Sequence, residues 1–174
     1  MTLPRDEQVF ADGKVTCIGQ IVGAIVAKDQ VTAQRAAKLV KIQYEDISPV
    51  IITIEDAIKQ KSFYGEKNTF KCGDIEKGFK QADQIIEGEM HVGGQEHFYL
   101  ETQAALAVPK NENGEMEVFS STQNHADIQH WVAESLDVPH NHIVVRTKRL
   151  GGGFGGKESK SGVVAIPCAI AANK

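Results

Sequence analysis

Hydrophobic and polar positions change period several times along this chain, and each change marks an element. Val15–Ala27 is rich in β-branched residues and interrupted by Gly19 and Gly23, which predicts a strand or hairpin allowing close backbone approach. Thr32 is placed to cap a helix over Ala33–Leu39, and Val40–Tyr44 alternates as a returning strand, giving a β-α-β unit. Ser48-Pro49 breaks the pattern. Thr53 opens a capped helix over Ile54–Lys59, and the polar stretch Gly65–Gly73 follows. Asp74 caps another short helix through Gln81, Gln84–Val92 has strand character, and Gly93-Gly94 ends it.

Further along, Ala104–Val108 and Met116–Ser120 are apolar segments joined by Pro109–Glu115, whose Pro and Asn-Gly predict a hairpin. Ile128, Trp131, Val132 and Leu136 recur at helical spacing, so an amphipathic helix is expected over Asp127–Leu136, closing at Val138-Pro139. Ile143–Lys148 returns as a strand. Ser159–Asn173 is small and apolar enough for a buried helix, with Pro167 expected to kink it or delay its start. The sum is an α+β chain without internal repeats, whose character changes between Ser48 and Gly73.

Charge narrows the partners. A net charge of −4 argues against nucleic acid or an anionic membrane, and the one basic cluster, Arg146, Lys148 and Arg149, has the spacing of a solvated strand face. The apolar runs Ile18–Ala27 and Val163–Ala172 are too short to cross a bilayer and no secretory signal is evident, so a cytoplasmic location is expected. Cys17, Cys72 and Cys168 are odd in number and lack metal-ligand spacing, which predicts separate, reduced thiols. His125, His130, His140 and His142 read as surface residues.

The strongest chemical signal is Arg149-Leu150-Gly151-Gly152-Gly153-Phe154-Gly155-Gly156-Lys157-Glu158. Glycines tolerate positive φ and lack side chains, so successive N–H groups can turn toward one anion, and a helix starting after Gly156 would add its positive end. The run satisfies G-x-G-x-x-G, but a glycine-dense segment does so almost automatically, and the acidic ribose partner about 20 residues on has no room here. It also fits G-x-x-x-x-G-K, yet Glu158 stands where a Ser or Thr must bind magnesium, and its carboxylate would repel a triphosphate.

Gly152–Glu158, taken with Gly93-Gly94-Gln95-Glu96-His97-Phe98-Tyr99-Leu100-Glu101-Thr102 and Ser121-Thr122-Gln123-Asn124, resembles the molybdenum-cofactor region of the xanthine dehydrogenase and aldehyde oxidase family. Val15–Ala27, Ala33–Ala37 and Phe119–Gln123 extend the resemblance over nearly the whole chain. It implies part of a larger enzyme in which iron–sulfur and flavin modules precede the molybdenum portion. Residues 1–49 would be the latter part of an α/β hammerhead domain, 50–73 a connecting segment, and 74–174 the N-terminal part of a molybdopterin-binding domain. Met1-Thr2-Leu3-Pro4 does not look like a natural start, so an internal fragment is expected.

The resemblance also implies roles. Gln123 matches the glutamine beside the metal, where an amide can donate to an oxo ligand and still accept; taken by itself it is a turn residue before a helix. Phe154 matches the position whose backbone lies against the metal centre, with Gly152, Gly153 and Gly155 around the cofactor; the plain alternative is an aromatic buried among glycines. Glu158 matches a substrate-pocket carboxylate that holds and polarises a purine, whereas aldehyde oxidases carry an apolar residue there; otherwise it is an acidic first-turn helix residue. His97 and Glu101 have the i, i+4 spacing of an acid/base pair, but in the family this segment supports the cofactor site, so no catalytic step is assigned to them.

The family's reaction is hydroxylation of an electron-poor carbon with oxygen from water, electrons leaving through two iron–sulfur clusters and FAD to NAD or oxygen. The resemblance therefore implies a purine hydroxylase parent, oxidising hypoxanthine to xanthine and xanthine to urate. Its molybdenum cofactor would sit partly here, with FAD and two [2Fe-2S] clusters outside this chain. Partners would be a purine and the remaining domains of a homodimeric parent, cytoplasmic or peroxisomal. The general-base glutamate and substrate-orienting arginine lie later in the family's sequence, so no catalytic residue is assigned within this fragment and no turnover is expected of it alone. The alternatives are an aldehyde oxidase fragment and a non-redox nucleotide- or phosphate-binding module.

Overall fold

The computed structural model describes residues 7–65, 68–110 and 112–174, so Met1–Pro4, part of the 65–73 stretch and one residue of the 109–115 loop lie outside the described residues. Elements follow in the order α1 (Gln30–Ala37), α2 (Ile54–Lys59), α3 (Ile75–Gln81), β1 (Ala105–Pro109), β2 (Met116–Ser120), α4 (His125–Leu136), a 3₁₀ turn at His140–His142, β3 (Ile143–Arg146) and α5 (Gly162–Ala172). They divide between one unit made of Met1–Val40 and Gln95–Lys174 and another made of Lys41–Gly94.

The first unit holds the core. β1 and β2 form the expected hairpin, Ala105 opposite Ser120 and Pro109 opposite Met116. Its turn takes Asn113 and Gly114 through φ of 50° and 73°, the left-handed pair that an Asn-Gly hairpin turn requires. β2 then pairs in parallel with β3, Met116 beside Ile143, and α4 supplies the crossover that a parallel pair needs. Alternation along β2 buries Met116, Val118 and Ser120 on one face. Against them pack Ile128, Trp131, Val132 and Ala133 of α4, Ile143 of β3, and Ala165, Ile166 and Ala169 of α5.

The helix ends show where local chemistry decided. α4 starts at His125, two residues earlier than expected, because the Asn124 side chain accepts from the Asp127 N–H at 3.2 Å. α1 is capped by Asp29, whose carboxylate accepts from the Thr32 N–H at 2.7 Å; Thr32 sits inside the first turn and is not the cap. In the second unit, Thr53 and Asp74 cap α2 and α3 as expected, accepting from the Asp56 N–H at 3.1 Å and the Lys77 N–H at 3.0 Å.

Two expectations fail. Val15–Ala27, Val40–Tyr44 and Gln84–Val92 contain no strand among the described residues, and Ile18, Ile86 and Met90 are fully or nearly fully exposed. Alternation prepares a face, but a strand needs a neighbour that takes its N–H and C=O groups in series, and in Val15–Ala27 the Ile21 carbonyl accepting from the Ala11 N–H at 2.8 Å is an isolated bond rather than a ladder. Likewise, no helix begins right after Gly156. The chain turns through residues 154–161, and α5 starts at Gly162, so Glu158 is not a first-turn helix residue. Pro167 remains inside α5 and is buried, the start having been delayed but not past the proline.

Truncating Ile128, fully buried between α4 and the sheet, should lower stability by about 2–5 kcal/mol, read as a shift in the urea unfolding midpoint. Val144→Ala, on the outer side of β3, should stay within about 0.5 kcal/mol.

Candidate functional site

The glycine loop follows β3 and closes over the link between β2 and α4, where Gln123 stands. The Gln123 N–H donates to the Lys157 carbonyl at 2.9 Å, and its side-chain Oε1 accepts from the Gly155 N–H at 3.1 Å and the Lys157 N–H at 3.2 Å. Two donors on one atom define which end of the amide is oxygen, so the NH₂ group is left without a partner among the described residues, on an exposed side chain. Phe154 and Gly155 at φ of 49° and 87° make the bend that aims both N–H groups at Gln123.

Absence of side chains is what lets the loop come this close. A Cβ on Gly153 would lie 2.6 Å from Gln123 Cδ and Oε1, and one on Gly152 2.9 Å from Tyr99 Cβ. A Cβ on Gly156 would meet Tyr99 Cε1 at 2.8 Å and His97 Cγ at 2.9 Å. Phe154 is 73% exposed, which removes the reading of an aromatic buried among glycines. Its N–H has no partner among the described residues.

Beneath the loop lies a residue whose only mark in the sequence was the rejected G-x-x-x-x-G-K pattern. The Lys157 side chain is fully buried, its Nζ donating to the Glu101 carbonyl at 2.7 Å and to Glu101 Oε2 at 2.8 Å, with the Tyr99 ring centroid 4.7 Å away. Glu101 Oε2 also accepts from the Gly151 N–H at 2.9 Å, and the Glu101 N–H donates to the Gly151 carbonyl at 3.1 Å. The Lys157 ammonium, first, and the Gly151 N–H hold the Glu101 carboxyl below its ordinary value. Gln103 Nε2 ties the platform together, donating to Tyr99 Oη at 3.2 Å and to the Gly156 carbonyl at 3.1 Å. The Lys157 carbonyl in turn accepts from Thr122 Oγ1 at 3.2 Å and Ser161 Oγ at 3.0 Å.

Gln123, Gly153 and Gly155 are thus brought into one network, Gly152 and the Phe154 ring pack together at its edge, and exposed Glu158 takes no part in it. His97 and Glu101 are not an acid/base pair: His97 stacks with Tyr99 at 6.0 Å between centroids, and Glu101 serves Lys157. Since that lysine is engaged by Glu101, it is not a free phosphate ligand. Its signal in the sequence was the G-x-x-x-x-G-K match, which points to a phosphate rather than to an internal carboxylate. His130 meets Glu134 at 3.2 Å and the His140 ring at 4.3 Å, and His142 Nδ1 lies 2.8 Å from the Asn113 carbonyl. No group of three or more His, Cys, Asp or Glu residues is placed to hold a metal ion among the described residues, and no helix there is long and apolar enough to cross a membrane.

Comparison with known proteins adds the context. Residues 55–174 match the molybdopterin cofactor-binding domain, and residues 1–48 match the a/b hammerhead domain of aldehyde oxidase and xanthine dehydrogenase. The chain is 58% identical over 170 residues to a xanthine dehydrogenase/oxidase of Rattus norvegicus and 50% identical over 168 residues to aldehyde oxidase 1 of Oryctolagus cuniculus. It aligns over 98% and 97% of its own length but spans only 13% of each relative. The crystal structure of quinoline 2-oxidoreductase from Pseudomonas putida 86 has a similar fold, with a TM-score of 0.63 at 22% identity, over 84% of this chain and 20% of that one.

The Glu101 contacts carry a pH signature. A carboxyl held low in the folded state binds fewer protons than in the unfolded chain, so its stabilisation is complete above its ordinary value of 4.5 and lost as pH falls through the lowered one. Glu101→Gln should therefore be less stable than the parent chain near neutral pH, with the gap in urea midpoints closing progressively as pH drops below that value.

Proposed function

The chain belongs to the aldehyde oxidase and xanthine dehydrogenase family, and from that membership we propose that it builds part of the cofactor and substrate pocket of a purine hydroxylase taking hypoxanthine to xanthine and xanthine to urate. The observation that carries this reading is the Gln123 amide, whose oxygen is held by two loop N–H groups while its NH₂ stays free on an exposed side chain.

The residues present suit the molybdenum cofactor. Gln123 NH₂ and the Phe154 N–H are unpartnered donors, appropriate to oxo and other anionic groups, and the exposed Gly155, with no atom within 4 Å of where a Cβ would stand, admits a ligand close to the backbone, while Gly152 and Gly153 let the loop close on Tyr99 and Gln123. When bound, the cofactor supplies the oxygen-transfer and two-electron chemistry. This chain's part is to bind and orient: Gln123 donates one hydrogen bond, the Phe154 backbone another, and the loop keeps both still. Glu158, exposed beyond the buried lysine, offers an acceptor to the N–H groups of a purine ring.

Glu158 also favours the purine reading over the aldehyde oxidase one, since an apolar residue would give a purine N–H no acceptor. Residues 1–49 would be hammerhead, 50–73 a connection and 74–174 molybdopterin-binding, while FAD, two iron–sulfur clusters, the general-base glutamate and the dimer contacts would belong to the rest of the enzyme. On this reading the 174-residue chain turns over no purine by itself, and urate formation by the purified chain would overturn that half.

In the full-length enzyme, Glu158→Val should lower kcat/KM for hypoxanthine and xanthine by on the order of 10²-fold while sparing a small aldehyde substrate, measured by steady-state kinetics at matched molybdenum content. Unchanged purine oxidation would remove Glu158 from the substrate pocket.

A further inference from the structure

We infer that Glu101 and Lys157 form a positioning pair that fixes the Gln123 amide with its oxygen inward and its NH₂ presented to the pocket. This rests on the reading of Gln123 as a pocket residue and adds to it the device that sets the orientation.

A fully buried ammonium is an expensive way to gain stability, because apolar residues of similar volume do as well or better in most interiors. Its presence calls for a geometric reason. Two donors of Nζ go to atoms of one residue, the Glu101 carbonyl and Oε2, and the ring of Tyr99 lies beside it, so the side chain is held in one place. The backbone of that same lysine is what grips Gln123 from both sides, its N–H donating to Oε1 and its carbonyl accepting from the Gln123 N–H.

One carboxylate oxygen also ties both ends of the glycine loop. Oε2 of Glu101 receives the Gly151 N–H and the Lys157 ammonium, six positions apart along the chain. With the two ends joined at one atom, the intervening Phe154–Gly155 bend has little freedom, and the Gly155 N–H stays aimed at Oε1. A flipped Gln123 amide would turn its NH₂ against two N–H donors and lose both hydrogen bonds. Glu101 and Lys157 touch none of the atoms proposed to react, so they act through Gln123.

The test uses the full-length holoenzyme with Lys157→Met, which keeps length and removes charge, and Glu101→Gln, which keeps an acceptor oxygen and removes charge. Hydrogen exchange of the Gly151, Gly155 and Lys157 amides, which the network holds, should rise at least about tenfold in each, with α4 amides unaffected. Purine kcat should fall on the order of 10²-fold with KM within about threefold, as expected when a group is misplaced rather than removed. If Lys157→Met does not accumulate as folded protein, Glu101→Gln decides by the same readouts. Loop exchange at the wild-type rate overturns the inference whatever the activity, as does exchange raised equally in the loop and α4. Raised loop exchange with unchanged turnover supports the pair and counts instead against Gln123 as a pocket residue.

Discussion

A buried ammonium must find every partner inside the fold, and Lys157 finds them on Glu101 and the face of Tyr99. That requirement organises the site. Tyr99 and Glu101 precede β1, Gln123 lies between β2 and α4, and the glycine loop follows β3, so one side chain gathers segments far apart in sequence. The sheet brings those segments to one end, and the ion pair locks them there.

The glycines and the lysine do complementary work. Glycine at 153 and 156 allows contacts that any Cβ would forbid, against Gln123 and against the Tyr99–His97 platform. A loop so free would sample many shapes, and fixing it costs about 1–2 kcal/mol of backbone entropy per residue. The hydrogen bonds from Gly151, Gly155, Lys157 and Gln103 offset that cost, while the N–H of exposed Phe154 keeps no partner among the described residues. A site of this kind is preorganised before any ligand arrives.

Legibility in the sequence followed the range of the interaction. α2 and α3 and their Thr53 and Asp74 caps were readable because cap and N–H donor are three residues apart. The β1–β2 hairpin was readable because its Asn-Gly turn has few ways to fold. α1 was placed late because Asp29 and Thr32 both suit a cap, and only the folded geometry chose the carboxylate. At the site, the glycine loop and Gln123 stood out as a motif, whereas Lys157 and Glu101, 56 residues apart, had no local mark of partnership.

The sequence by itself determined the membership of the chain in its family, the Thr53 and Asp74 caps and the Asn-Gly turn, since these depend on residues within a few positions or on motifs in a set order. Only the tertiary structure decided that the loop's lysine is buried, that Gln123 faces its oxygen inward, that Phe154 is exposed, and that Glu158 precedes rather than opens the last helix. Burial and hydrogen-bond partnership are properties of segments brought together across the fold. The same rule accounts for the three alternating segments that form no strand, for a strand is made by its neighbour as much as by its own residues.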